Sequence, residues 1–94
     1  MKVFCLKEGQ GKTTELLQLA KNKNGYIVCQ NPDSVFSFAK QHEITINFPL
    51  SYAEFLEGKY LVGGVKHIYI DDIDRLLNRI SKCQIKAITI TDIN

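Results

Sequence analysis

The stretch Lys7-Glu8-Gly9-Gln10-Gly11-Lys12-Thr13-Thr14 follows directly on the apolar run Val3-Phe4-Cys5-Leu6. An apolar strand-like segment thus feeds a glycine loop, and the loop feeds a helix that opens with Lys-Thr-Thr. Gly9 and Gly11 lack a Cβ, so the backbone can take left-handed dihedrals and turn its N–H groups inward. Those groups, with the positive end of the following helix, make an anion site. An ordinary strand-to-helix turn with a lysine nearby is the bland alternative. The flanking elements and a second, acidic motif weigh against it.

The acidic motif is His67-Ile68-Tyr69-Ile70-Asp71-Asp72, an apolar strand ending in two carboxylates. In a parallel sheet every strand's C-terminal end points to the same edge, and ligands bind there. Asp71 is therefore expected on the edge that carries the glycine loop. Ile-Asp-Asp alone is a common strand end. Its weight comes from combination with the loop.

Together the two motifs resemble the minimal core of the P-loop nucleotide-binding superfamily. The full loop pattern places glycine five positions before Gly11, where this chain has Leu6. Partition-type ATPases carry a variant, K-G-G-x-G-K-T-[ST], which Lys7 to Thr14 resembles with Glu8 in place of glycine. The first lysine of that variant reaches a nucleotide across a dimer interface, a role the resemblance extends to Lys7. Gly11-Lys12-Thr13-Thr14-Glu15-Leu16-Leu17 is also similar to the loop-to-helix junction of thymidine kinases. Both likenesses end there. No zinc lid follows, and the second strand closes with Cys29-Gln30-Asn31 rather than an acidic segment.

The resemblance implies roles. Gly9, Gln10, Gly11, Lys12, Thr13 and Thr14 would cradle the phosphates of ATP, with Lys12 reaching the β- and γ-phosphates. Thr13 and Asp71 would hold Mg²⁺ from two elements. Asp72 has two readings: the acid that orients an attacking water, or the N-terminal acid of the next helix. Asp74 reads as a solvated first-turn acid. Thr91 or Asp92 would sense the terminal phosphate, or simply be part of a strand rich in β-branched residues.

The rest of the chain alternates strands and helices. Strands are expected at residues 2–6, 26–29 and 65–70, a short one at 43–47 and a last one at 85–91. Helices are expected at 13–22, from Pro32-Asp33 to about His42, after the Ser51-Tyr52-Ala53-Glu54 capping box, and from Asp72 to about Ser81. Gly63-Gly64 marks a turn. This pattern predicts a single α/β domain over residues 1–94. Its architecture is three-layer α/β/α, with a small, mainly parallel sheet of four to five strands.

Composition narrows the rest. The chain has 94 residues, 45% hydrophobic and 23% charged, as in a globular protein with one modest core. A formal charge of +2 does not by itself argue for nucleic acid. No membrane span or signal-peptide layout is evident, and the three widely spaced cysteines suit a reducing, cytoplasmic setting. Cys5 and Cys29 lie in apolar runs and read as buried free thiols. No Cys/His pattern suits zinc. His42 and His67 read as ordinary core-edge or surface histidines. Arg75, Arg79 and Lys82 recur at helical spacing. They form either a solvated face or a contact for nucleic-acid phosphates or a neighbouring subunit's nucleotide. No Asn-Lys-x-Asp pattern for guanine is present, so ATP is the default.

Three functions fit these expectations. One is Mg-ATP binding with slow or partner-stimulated hydrolysis. Another is a non-catalytic P-loop-fold module that engages a protein, a second copy or nucleic acid. The third is phosphotransfer to a small substrate. The small size fits an accessory protein of a phage or mobile element.

Overall fold

A computed structural model describes residues 1–7, 9–59 and 67–91. Helix α1, Lys12–Ala20, forms because Leu16, Leu17 and Ala20 fall on one face and bury there. It ends in a tight turn, Lys21–Lys23, where Asn22 takes a positive φ of 61°. Strand β1, Tyr26–Cys29, follows, with its last three residues buried. Helix α2, Pro32–Gln41, opens on two local signals. Pro32 presets the first helical φ, and the Asn31 side chain accepts from Ser34 N at 3.2 Å.

Strand β2, Leu50–Ser51, runs straight into helix α3, Tyr52–Leu56. The expected capping box is present there. Glu54 N donates to Ser51 Oγ at 3.1 Å, and Ser51 N donates to Glu54 Oε1 at 3.0 Å. Strand β3, Ile68–Ile70, and helix α4, Ile73–Ile80, complete the set.

The strands form one parallel sheet in the order β2-β1-β3. Val28 stands opposite Leu50 and Ile70, and Ile27 opposite Tyr69. Strand side chains alternate between faces. Ile27, Cys29 and Tyr69 therefore meet α1 and α2 through Leu16, Leu17, Ala20, Val35 and Ala39. Tyr26, Val28, Ile68 and Ile70 meet α3 and α4 through Tyr52, Phe55 and Leu76. Helices thus cover both faces, as expected of a three-layer α/β/α arrangement. Among the described residues no helix is long and apolar enough to cross a membrane.

Three of the five expected strands are not formed, while β2, Leu50–Ser51, forms where no strand was expected, so the sheet has three strands among the described residues rather than four or five. Val3 to Leu6 are apolar, but residues 2–6 are unpaired, with Val3 and Phe4 exposed. Apolar content supplies strand character; stability needs a neighbour's backbone. Residues 43–47 do not form a strand: Glu43 is a turn residue with a positive φ of 56°, and the segment after it is tied to a turn. Asn22 N donates to Thr45 O at 2.8 Å, and Asn47 Nδ2 donates to Gly25 O at 2.9 Å. Residues 85–91 are likewise unpaired and exposed, and Ile85 and Ile88 share a shallow groove with Ile73 and Leu77 of α4. Cys5, expected to be buried, is exposed with its unpaired segment, whereas Cys29 is buried. The expected Gly63-Gly64 turn and Asp92 lie outside the described residues, as do Val65 and Lys66 of the strand expected at 65–70.

Candidate phosphate and metal site

The parallel sheet brings the C-terminal ends of β1 and β3 to one edge, and α1 begins there. Asp71 directly follows β3 and extends its pairing, with Asp71 N donating to Val28 O at 2.8 Å. Its carboxylate is buried, 8% exposed. Thr13, the second residue of α1, donates its hydroxyl to Asp71 Oδ2 at 3.1 Å. Lys12, the first, places Nζ 2.9 Å from Asp72 Oδ1. Residues 58 to 60 positions apart in sequence thus make two adjacent polar contacts.

Gly9 and Gly11 both have positive φ, 79° and 85°. Gly11 is the N-cap of α1 and sits in the left-handed region, with no side chain capping the helix. The first-turn N–H groups of α1 are therefore not taken by a capping side chain. Gln10 is held by its own turn: its N–H donates to Lys7 O at 3.1 Å, and its Oε1 accepts from Lys7 N at 3.0 Å. Thr14 is exposed on the next position of the helix.

Asp72 occupies the N-cap position of α4 but caps nothing with its side chain. The helix-capping role open in the sequence is not the one its carboxylate plays. Its backbone is left-handed, φ 55° and ψ 63°, and its carboxylate turns to Lys12. Arg75 Nε lies 3.9 Å from the other oxygen, Asp72 Oδ2, and Arg75 Nη1 donates to Gln30 Oε1. Lys12, Asp72, Arg75 and Gln30 thus form a polar chain along the edge. Asp74 is exposed in the first turn of α4, and Arg79 and Lys82 are exposed as on a solvated face. Thr91 is exposed and outside these contacts.

Burial raises the Asp71 carboxyl above its ordinary value, and the neighbouring Asp72 charge adds to this. The Thr13 hydrogen bond and the Lys12 ammonium pull it back only in part. Burial, helped by the charge of Asp71, pushes the Cys29 thiol up to about 12, so it packs as a neutral group. Tyr52 is also pushed up to about 12, by burial and by Asp72 and Asp71. It stays protonated and is a donor.

Tyr52 and Gln30 were not singled out from the sequence. Gln30 had a usable signal, being the residue after a strand in a parallel sheet. Tyr52 had none beyond its place after the capping Ser51. Comparison with protein-family models, curated proteins and solved structures gives no match.

Proposed function

We propose that this edge binds a magnesium–nucleoside triphosphate in the manner of a minimal P-loop protein, ATP by default, with slow or partner-stimulated hydrolysis. The observation that carries the reading is the 3.1 Å contact between the Thr13 hydroxyl and the Asp71 carboxylate. A hydroxyl and a buried carboxylate, contributed by two separate elements, form a hard oxygen-donor pair of the kind Mg²⁺ takes. A cation there would also offset the burial that disfavours the Asp71 charge. Thr13 and Asp71 would hold the metal, which when bound would neutralise charge on the phosphates.

The chain's own groups do the rest. Backbone N–H groups of Gly9 and of Gly11 to Thr14 bind phosphate oxygens, helped by the positive φ at both glycines, while the Gln10 N–H holds the turn. Lys12 leaves Asp72 for the phosphates. Asp72, released, is close enough to the same edge to orient a water. The reading also assigns residues 2–6 to the open edge of β3 once nucleotide is bound, giving a fourth strand. β3 pairs only with β1 among the described residues, and α1 already packs over both.

A second reading draws on Asp72. That acid is engaged by Lys12 and approached by Arg75, and Leu6 replaces the first loop glycine. Both features favour a module that binds nucleotide without turning it over. Titration calorimetry with ATP and GTP, with and without Mg²⁺, tests the proposal, and phosphate release separates the two readings. Binding that needs Mg²⁺ and falls at least about tenfold in Lys12→Ala supports it. No heat with either nucleotide sinks both readings.

A further inference from the structure

We propose that Tyr52 is a positioning residue for the acidic pair: its hydroxyl sets the Asp71–Asp72 turn and thereby aims both carboxylates at the phosphate edge. The inference rests on the metal–nucleotide reading for its consequence, but on independent contacts for its geometry. Tyr52 is 2% exposed and sits on α3, a different element from either acid. Its hydroxyl lies 2.7 Å from Asp71 O and 3.2 Å from Asp72 O. One buried donor therefore lies within hydrogen-bond distance of the backbone carbonyls of both acids.

The turn it touches needs holding. Asp72 has φ 55° and ψ 63°, a left-handed conformation that residues with a Cβ adopt at a cost. Such conformations persist where the surroundings over-determine them. The amides of Arg75 and Leu76 reach Asp72 O from α4, at 2.9 and 3.3 Å. Tyr52 reaches the same carbonyl from the opposite element and adds Asp71 O. The left-handed residue is what lets β3 end with Asp71 against Thr13 while Asp72 turns to Lys12. Without the hydroxyl the turn has no buried donor from α3, and the two carboxylates lose their fixed separation.

Tyr52 is itself fixed from two sides. The capping box sets the start of α3, and the Val28–Leu50 pairing sets β2 just before it. The path from β2 to the acids is thus short and built of ordered contacts.

Tyr52→Phe removes the hydroxyl and leaves the ring. Three measurements decide the matter. In nucleotide-free protein, NMR of the Lys12 ammonium and the Asp72 carboxyl carbon should show their contact in the wild type and its loss in the variant. Core methyl signals such as those of Leu17 should stay in place. By calorimetry, affinity for a non-hydrolysable ATP analogue without metal should not fall and should rise by at most about fivefold, since Lys12 is freed from Asp72. The gain in affinity on adding Mg²⁺ should fall about tenfold, as for other groups that orient a metal ligand. In the wild type, the Tyr52 hydroxyl proton should exchange slowly and show a proximity signal to Asp72 Hα.

A variant that keeps both the Lys12–Asp72 contact and the full Mg²⁺ gain overturns the proposal. So does a Tyr52 hydroxyl proton that exchanges freely, a result that stands even if the variant fails to fold. A wild type with no Mg²⁺ gain sinks the nucleotide reading alone, and the Lys12–Asp72 signals then decide the role of Tyr52.

Discussion

The ammonium of Lys12 lies 2.9 Å from Oδ1 of Asp72, so the residue expected to grip phosphate is already gripped by the acid expected to position water. The two side chains are 26% and 24% exposed, which makes this a partly solvated ion pair rather than a buried one. Pairs of that kind contribute about 0.2–1 kcal/mol. A phosphate that takes Lys12 must first displace Asp72.

Asp72→Asn removes the competitor, so affinity for Mg-ATP should rise by about 1.5- to 5-fold. Under the proposed function, in which Asp72 orients the water, any turnover should fall in the same variant. Calorimetry together with phosphate release gives both signs in one protein. Weaker binding in Asp72→Asn would mean that the acid helps hold the ligand rather than competing with it.

Asp71 makes an opposite trade. Its folded-state carboxyl is raised by burial, so the folded protein holds that proton more tightly than the unfolded chain does. Below the unfolded pKa both states are protonated and the effect vanishes. As pH rises through the unfolded and then the raised folded value, stability is lost, and the loss persists at neutral pH. Asp71→Asn keeps an oxygen to accept from Thr13 and removes the charge. Its melting temperature should exceed the wild type's at neutral pH, with the gap closing as pH falls below the carboxylate range. Mg²⁺-dependent binding should disappear. A variant that melts lower than the wild type at pH 7 would show that the carboxylate's contacts outweigh its burial.

Gly25 joins the turn after α1 to β1 and packs closely against the His67 carbonyl. Its φ is 89°, and a Cβ there would run into the His67 carbonyl, the same oxygen that accepts Tyr26 N at 3.1 Å. Gly25→Ala therefore strains the backbone and forces apart the start of the β1–β3 pairing. A loss of about 3 kcal/mol is expected. At about 4–8 °C per kcal/mol for a domain of this size, the melting temperature should drop by more than ten degrees. A fall of only a few degrees would mean that the His67 segment yields easily.

Elements with local signals were legible in the sequence. Asn31-Pro32 and Ser51-x-x-Glu54 each carry a cap that works within four residues, and both helices start where those residues say. The apolar run from Tyr26 to Cys29 reads as a strand buried on both faces because helices do cover both. The parallel-edge rule brought Asp71 to Thr13. Pairing was not legible. Residues 2–6, 43–47 and 85–91 have strand composition, but a strand also needs an adjacent backbone, which composition does not encode. The direction of the Asp72 carboxylate was equally hidden, since it depends on a left-handed turn and on a tyrosine from another helix.

Ser51 tests whether α3 transmits order to the acids. Its hydroxyl accepts from Glu54 N at 3.1 Å, which sets the first turn of the helix that carries Tyr52. Ser51→Ala removes that cap and should cost about 1 kcal/mol, whereas Ser51→Asp, which also caps, should cost less. If α3 acts on the site through Tyr52, Ser51→Ala should also weaken the Mg²⁺-dependent part of nucleotide binding by about two- to threefold, less than Tyr52→Phe does, because the hydroxyl remains and only its mounting is loosened. Thermal melts and metal-titrated calorimetry on the two Ser51 variants measure the two effects separately. Equal loss of stability with no change in the metal response would confine the capping box to folding and leave Tyr52 anchored by its burial alone.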